Sequence, residues 1–427
     1  MILAARSSVL AALALSFLFA ATPALAQDAG SESDAEGRPV EIGRRYTISS
    51  EILGEDRPLL IGLPAGYAGS DEPYPVVYVL DGQSHFHHTT GTVRFLAGND
   101  RMPGAIVVAV GNISGDQRTR DMTPVLEGEG GSGPAAGDFP AAGGSEAFLR
   151  FLTEELRPWV DERYRTRSYD ILIGHSFGGL FITDVLQRAP ESFDGYISIS
   201  PSLWWDDEAY VERIGDLFER HPDARGSLYM TMGSEGGNML SGAWTFAGTL
   251  EKHAPADFRW HWNHMPAETH GSVPHRSTYD GLEWTFEGWD PTPLIMPVFQ
   301  DEADPAEPLN DVAAHYAELS ERFGWEIRPP APLVSDLGEF LLNEGRTDHA
   351  LEVFTRLVAW RPDEPLSHAG LAEALATACE WDDARTHLGH ARQRAGDNER
   401  VLGLIEEQLA ALEERAASGE GCGAAGN

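Results

Sequence analysis

The chain has 427 residues, more than one domain of ordinary size, so two folded units are the starting expectation. With 42% hydrophobic and 9% aromatic residues it has the make-up of a globular protein with a substantial core. A net charge of −36, with Lys252 the only lysine, argues against nucleic acid and anionic membrane surfaces as partners and fits a surface kept soluble by carboxylates.

At the N-terminus Arg6 precedes an apolar stretch from Val9 to Ala21, and Ala24-Leu25-Ala26 stands just before Gln27. This small-x-small pattern predicts a signal peptide over residues 1–26, cleaved on export to a periplasm or the medium. The stretch is too short to span a bilayer comfortably, and no cysteine follows to carry lipid, so no membrane insertion is expected after cleavage. Residues 27–38 read as a flexible polar linker.

Strand-like runs follow at "RRYTISSEIL" and "RPLLIGLPAGY", and then "YPVVYVLDG" and "GAIVVAVGN", separated by a short helical stretch, look like buried parallel strands. Residues 112–144, rich in Gly, Pro, Ala and Asp, read as one long loop. A helix is expected from about Ser145 to Arg163, with Phe148, Leu149, Leu152, Leu156 and Trp159 at helical spacing. A strand at 169–174, a helix from about Phe177, strands at "FDGYISIS" and "SLYMTM", a helix near Leu240 to His253 and the alternating "FRWHWNHM" strand complete the pattern. Strands alternating with helices over residues 39–290 imply an α/β fold with a doubly wound, mostly parallel sheet.

From about Thr292 the pattern is helical only, so residues 291–427 are read as an all-α domain ending in a disordered tail. A shift of 34 pairs Leu337 with Leu371, Leu341 with Leu375, Ala350 with Ala384 and Phe354 with Leu388, the period of tetratricopeptide repeats. A generic pair of helical hairpins is the plainer reading. Two repeats need flanking helices to cap them, and such an array offers a surface to a protein partner. The only cysteines, Cys379 and Cys422, are too few for a disulfide scaffold or a cysteine metal site; a single disulfide and two free thiols both remain open.

The chemistry centres on "ILIGHSFGGLF". A Gly-x-Ser-x-Gly pattern is nearly within reach of chance, but here a strand leads into it and a helix leaves it. That placement pushes the Ser176 hydroxyl outward at a helix N-terminus, whose dipole favours developing negative charge. A turn serine with no chemistry is the bland alternative. A serine nucleophile needs a histidine to take its proton and an acid to orient that histidine, in the chain order Ser, acid, His. Of the histidines after Ser176, His270 in "ETHGSV" lies in the loop leaving the last strand, with His264 and His275 as alternatives. The close spacing of His261, His264 and His270 would also suit a metal, but a zinc hydrolase has no need of the serine turn, so no metal and no cofactor are expected. Glu235 in "GSEGG" sits just after the "SLYMTM" strand where the acid belongs, with Asp257 and Glu268 as substitutes. The oxyanion hole is expected from the backbone N–H groups of Phe177 and, in "LDGQ", Gln83, while Asp81 braces that turn. His85, His87 and His88 either line a pocket or occupy a wet loop.

In order along roughly residues 40–290, "YPVVYVLDG", "RTRDMTP", "FLTEELRPWVDERY", "ILIGHSFGGLF", "ISPSLWWDD", "GSEGG" and "THGSV" resemble the esterase family of α/β-hydrolases that includes esterase D and the enterobactin and salmochelin esterases. The resemblance implies an α/β-hydrolase fold, with Ser176 as nucleophile, His270 as base and Glu235 as acid. It also places Arg118, Arg120, Trp204 and Trp205 near the substrate, although Arg120 beside Asp121 also reads as an ion pair and the tryptophans as core. The function it implies is an exported carboxylic ester hydrolase acting on small-molecule esters, siderophore-type or other. The strongly acidic surface departs from what an anionic ferric catecholate would favour. A peptidase or acyltransferase on the same residues, or a binding module with an inert hydrolase domain, are the rival readings.

Overall fold

Eight runs rich in β-branched and aromatic residues assemble one sheet. The structure, a computed structural model, describes residues 39–126, 138–208, 210–211, 214–300 and 304–418. The expected signal peptide and linker, the middle of the expected loop at 112–144, and Cys422 lie outside these residues.

The strands are β1 (Arg44–Ser50), β2 (Glu55–Gly62), β3 (Tyr74–Val79), β4 (Ile106–Val110), β5 (Thr166–His175), β6 (Gly195–Ile199), β7 (Gly226–Met232) and β8 (Phe258–His264). They lie in the order β1-β2-β4-β3-β5-β6-β7-β8. β1 runs antiparallel to β2 and β2 antiparallel to β4; every other pairing is parallel. β4 and β6 are buried at every residue, as strands covered on both faces must be.

Helices cover the sheet. They are α1 (Gly82–Ala97), α2 (Gly115–Met122), α3 (Ser145–Arg150), α4 (Arg157–Arg163), α5 (Phe177–Arg188), α6 (Gly237–His253) and α7 (Val273–Thr285). Three differ from the sequence expectation, α7 because no helix was expected after the last strand. α2 falls inside the stretch read as loop, and its N-terminus is closed by Ser114, whose Oγ accepts from Gln117 N at 3.1 Å. The single helix expected over 145–163 is interrupted by a π-helical segment, Phe151–Leu156, between α3 and α4. The wider turn keeps Phe148, Phe151, Leu152, Leu156 and Val160 all buried, and Glu155 accepts from Glu51 N at 2.9 Å and Ile52 N at 3.0 Å in the β1–β2 turn.

The rest is helical: α8 (Thr292–Phe299), α9 (Ala306–Phe323), α10 (Ala331–Asn343), α11 (Thr347–Trp360), α12 (Pro365–Thr377), α13 (Trp381–Ala395) and α14 (Glu399–Ser418). The 34-residue period appears in the helix starts, since α10 and α12 begin at 331 and 365, and α11 and α13 at 347 and 381. Every residue paired by that shift is buried. From Gly43 onward the chain forms one compact unit. α9 and its C-terminal turn pack on the β5 end that is remote from the serine turn: Tyr169 meets Phe323 at 5.3 Å, Trp325 at 5.2 Å and Phe286 at 5.9 Å between ring centroids. Among the described residues no helix is long and apolar enough to cross a membrane.

Candidate active site

Ser176 follows the C-terminal end of β5 and caps α5 with φ 61° and ψ −114°, a conformation an L-residue adopts only under constraint. The constraint is steric and hydrogen-bonded. A Cβ on Gly174 would stand 2.3 Å from the Gly178 carbonyl oxygen, and one on Gly179 would stand 2.9 Å from Pro201 Cα, so strand, turn and helix approach closer than any side chain permits. Ser176 N donates to Ile199 O at 3.0 Å, and Ser176 O accepts from Leu180 N at 3.0 Å and Ser202 N at 3.2 Å. The Ser176 hydroxyl lies 3.4 Å from Ser202 Oγ and makes no hydrogen bond with His270 in this arrangement.

Glu235 and His270 sit on the loops that leave β7 and β8. Ser234 N donates to Glu268 O at 2.7 Å and Met265 N to Met232 O at 2.7 Å, which ties the two loops together. Across them His270 Nδ1 is hydrogen-bonded to Glu235 Oε1. Burial pushes the Glu235 carboxyl up, but hydrogen bonds from His270, its own backbone N–H and Ser200 outweigh that and leave it below the ordinary glutamate value. An ionised partner at Nδ1 puts the proton there and leaves the His270 Nε2 lone pair free to accept one. The alternatives are engaged elsewhere: Asp257 pairs with Arg225 at 3.4 Å, Glu268 accepts from Ser272 Oγ at 2.6 Å, His264 stacks on Trp262 and His275 leans on His88. His261 stacks on Tyr229, so the three closely spaced histidines do not converge.

The loop after β3 faces the same turn. Asp81, at φ 52°, holds Arg118 through Nε at 2.7 Å and Nη2 at 2.8 Å, and accepts from Asn112 Nδ2 at 2.6 Å. Arg118 Nη2 also reaches His175 O at 3.3 Å, so one guanidinium ties the β3 loop to the residue before Ser176. Gln83 is the second residue of α1 and Phe177 the first of α5, and N–H groups in a first turn have no acceptor within their own helix. The Gln83 side chain accepts from Asn112 N at 3.1 Å, which steadies that turn.

Arg120 is placed differently. Its guanidinium is committed to Glu55 at 2.6 Å and Asp121 at 2.7 Å, in a network with the buried Arg57. Trp205 is fully buried and Trp204 partly so; with Phe139 both pack on the Phe177 ring, at centroid distances of 5.6, 6.0 and 5.9 Å respectively. Sequence reasoning passed over His175 and Ser202. The His175 ring lies 4.4 Å from that of His270 and 5.7 Å from that of His85, and His85 Nδ1 is 3.0 Å from His88 Nε2. Burial, with His270, His85 and Arg118 nearby, lowers His175 to about 3, so it packs as a neutral ring. A separate surface hollow lined by Arg101, Tyr229, His261 and Trp284 includes none of Ser176, Glu235 and His270.

Sheet order and the serine turn after β5 define an α/β-hydrolase. Residues 50–271, about half of the chain, match the profile of the family described as "Putative esterase", and the chain belongs to that family. Residues 341–407 match a tetratricopeptide repeat profile. The chain is 34% identical over 142 residues to the ferri-bacillibactin esterase BesA of Bacillus subtilis (strain 168), an alignment covering 31% of this chain and 49% of that protein. It is likewise 34% identical over 178 residues to the siderophore triacetylfusarinine C esterase of Aspergillus fumigatus, covering 38% and 56%. The chain thus spans about half the length of the curated relatives it matches. Among solved structures, an IroE-like serine hydrolase from Shewanella oneidensis superposes with a TM-score of 0.60 at 29% identity, over 73% of this chain and 97% of that one.

Proposed function

We propose that the chain is an exported serine esterase in which residues 39–290 perform the chemistry and residues 291–427 form an accessory helical domain that serves as a docking surface for a protein partner. Ser176 Oγ attacks the ester carbonyl while His270 Nε2 takes its proton and Glu235 holds Nδ1–H. The tetrahedral oxyanion is received by the N–H groups of Phe177 and Gln83, at the N-terminal ends of α5 and α1. Collapse expels the alcohol with the proton from His270, and water then releases the acyl group from Ser176 by the same steps in reverse roles. A Ser176–His270 hydrogen bond forms when substrate displaces the hydroxyl from Ser202, since catalytic contacts are often made fully only in the complex with substrate.

The observation that carries this reading is the hydrogen-bonded Glu235–His270 pair, held on adjoining loops at the strand ends where the strained Ser176 emerges. For substrate class the reading takes siderophore-type esters, on the names of the relatives, with Phe139, Phe177 and Trp204 as an aromatic wall and Arg118 as the nearby cation. The test is turnover of p-nitrophenyl acyl esters and an iron-free catecholate trilactone by wild type and Ser176→Ala. A loss in kcat on the order of 10⁴-fold or more is expected for the variant. Equal rates for the two proteins on every ester overturn the proposal.

A further inference from the structure

Away from the serine turn, three imidazoles meet in the second helical hairpin. His368 stands on α12, and His387 and His390 stand three residues apart on one face of α13. One ring nitrogen from each lies within 4.8 Å of the others, and His368 Nδ1 is 3.0 Å from His387 Nδ1. Two nitrogens bound to a tetrahedral cation at the usual Zn–N length stand about 3.3 Å apart, so this is the spacing of neighbouring ligands as well as that of a hydrogen bond.

The second contact of His368 bears on which it is. His368 Nε2 lies 3.0 Å from Pro362 O, and a carbonyl only accepts, so the proton sits on Nε2 and Nδ1 presents a lone pair toward His387. An imidazole whose far nitrogen donates to a backbone carbonyl is the usual arrangement of a metal-bound histidine. Pro362 O is fixed in turn by Arg394 Nε.

The repeat supplies an internal control. Shifting by 34 residues, the counterparts of His368, His387 and His390 in the first hairpin are Val334, Val353 and Arg356, and both valines are buried core. The hairpin therefore packs without histidines at these places. His368 is buried and His390 exposed, so the triad is anchored on one side and open to solvent on the other.

We propose that His368, His387 and His390 form a binding site for a late first-row divalent cation, Zn²⁺ being the reference case, with the fourth position open to water or a partner's ligand. An all-imidazole set suits Zn²⁺, Cu²⁺, Ni²⁺ or Fe²⁺ and not Mg²⁺ or Ca²⁺, which take oxygen ligands. The open position distinguishes the site from the closed four-ligand sites that only stabilise a fold. The inference is independent of the ester chemistry proposed for Ser176.

The experiment is Zn²⁺ titration of the metal-stripped full chain by calorimetry, with Co²⁺ absorption as a second readout. It compares wild type with His387→Val, which restores the packing of the first hairpin, and with His390→Ala on the exposed side. Wild type should bind one more Zn²⁺ per chain than either variant, or bind it at least about 10-fold more tightly, since removing even an outer partner of a metal-bound imidazole costs that much. Its Co²⁺ complex should show d–d bands that the variants lack. Zn²⁺ should raise the melting temperature of wild type but not of His387→Val. Identical stoichiometry, affinity and melting shift in all three proteins overturn the site and leave the 3.0 Å contact as a hydrogen bond between two histidines.

Discussion

Ser176 holds a backbone conformation that opposes stability, since a non-glycine residue at φ 61° and ψ −114° costs about 1–3 kcal/mol. Ser176→Gly, which relieves that strain, should abolish turnover and yet unfold at higher denaturant, checked by chevron or equilibrium melts beside Ser176→Ala. A variant less stable than wild type would show the turn to be unstrained. His175 carries a pH signature. Its folded value of about 3 lies below the ordinary 6.5, so between those values the unfolded chain binds a proton there that the folded chain does not. Stability should therefore fall as pH drops through that window, and His175→Asn should show a shallower fall than wild type in melts from pH 7 to 4. Equal slopes would remove His175 from the acid response.

At the scale of elements, α2 is fastened to β2 through charge. The Arg57 and Asp121 side chains are fully buried and hydrogen-bonded, and the Arg57 guanidinium lies over the rings of Phe148 and Phe151 at 5.2 and 5.8 Å. Asp121→Ala leaves that cation short of its partner and should cost on the order of 3 kcal/mol in urea unfolding, with Arg118 and the serine turn loosened as α2 frays. The inner strands β3 and β4 were legible in the sequence because burial on both faces demands unbroken apolar runs, as in "IVVAV". The serine turn was legible because its pattern is local, and the adjacency of the candidates Glu235 and His270 could be anticipated because both follow neighbouring strand ends. α2 was hidden by its polar, Gly-containing sequence, although Ser114-Gly115-Asp116-Gln117 has the Ser-x-x-Gln form of a helix start. The π-helical segment and the packing of His175 on His270 depend on contacts between distant parts of the chain, which no local periodicity encodes.

Over the whole molecule, the helical region and the serine turn hold opposite ends of one strand. Tyr169 and Ser176 are seven residues apart, about 23 Å along β5. The aromatic cluster of Tyr169, Phe286, Phe323 and Trp325 makes the helices part of the hydrolase core, reinforced where Arg322 Nη1 donates to Glu287 O at 2.9 Å. Phe323→Ala should therefore lower stability by about 3–5 kcal/mol while leaving kcat on a p-nitrophenyl ester at the wild-type value, as thermal melts and initial rates would show. A fall in kcat at a temperature where the variant is fully folded would mean that the far end of the strand governs the chemistry. The separation also bears on how such a chain diversifies. Substitutions on the outer faces of the helical hairpins leave both the strand's gripped end and its serine end untouched, so new attachments can arise there by inheritance without disturbing the turn that holds Ser176.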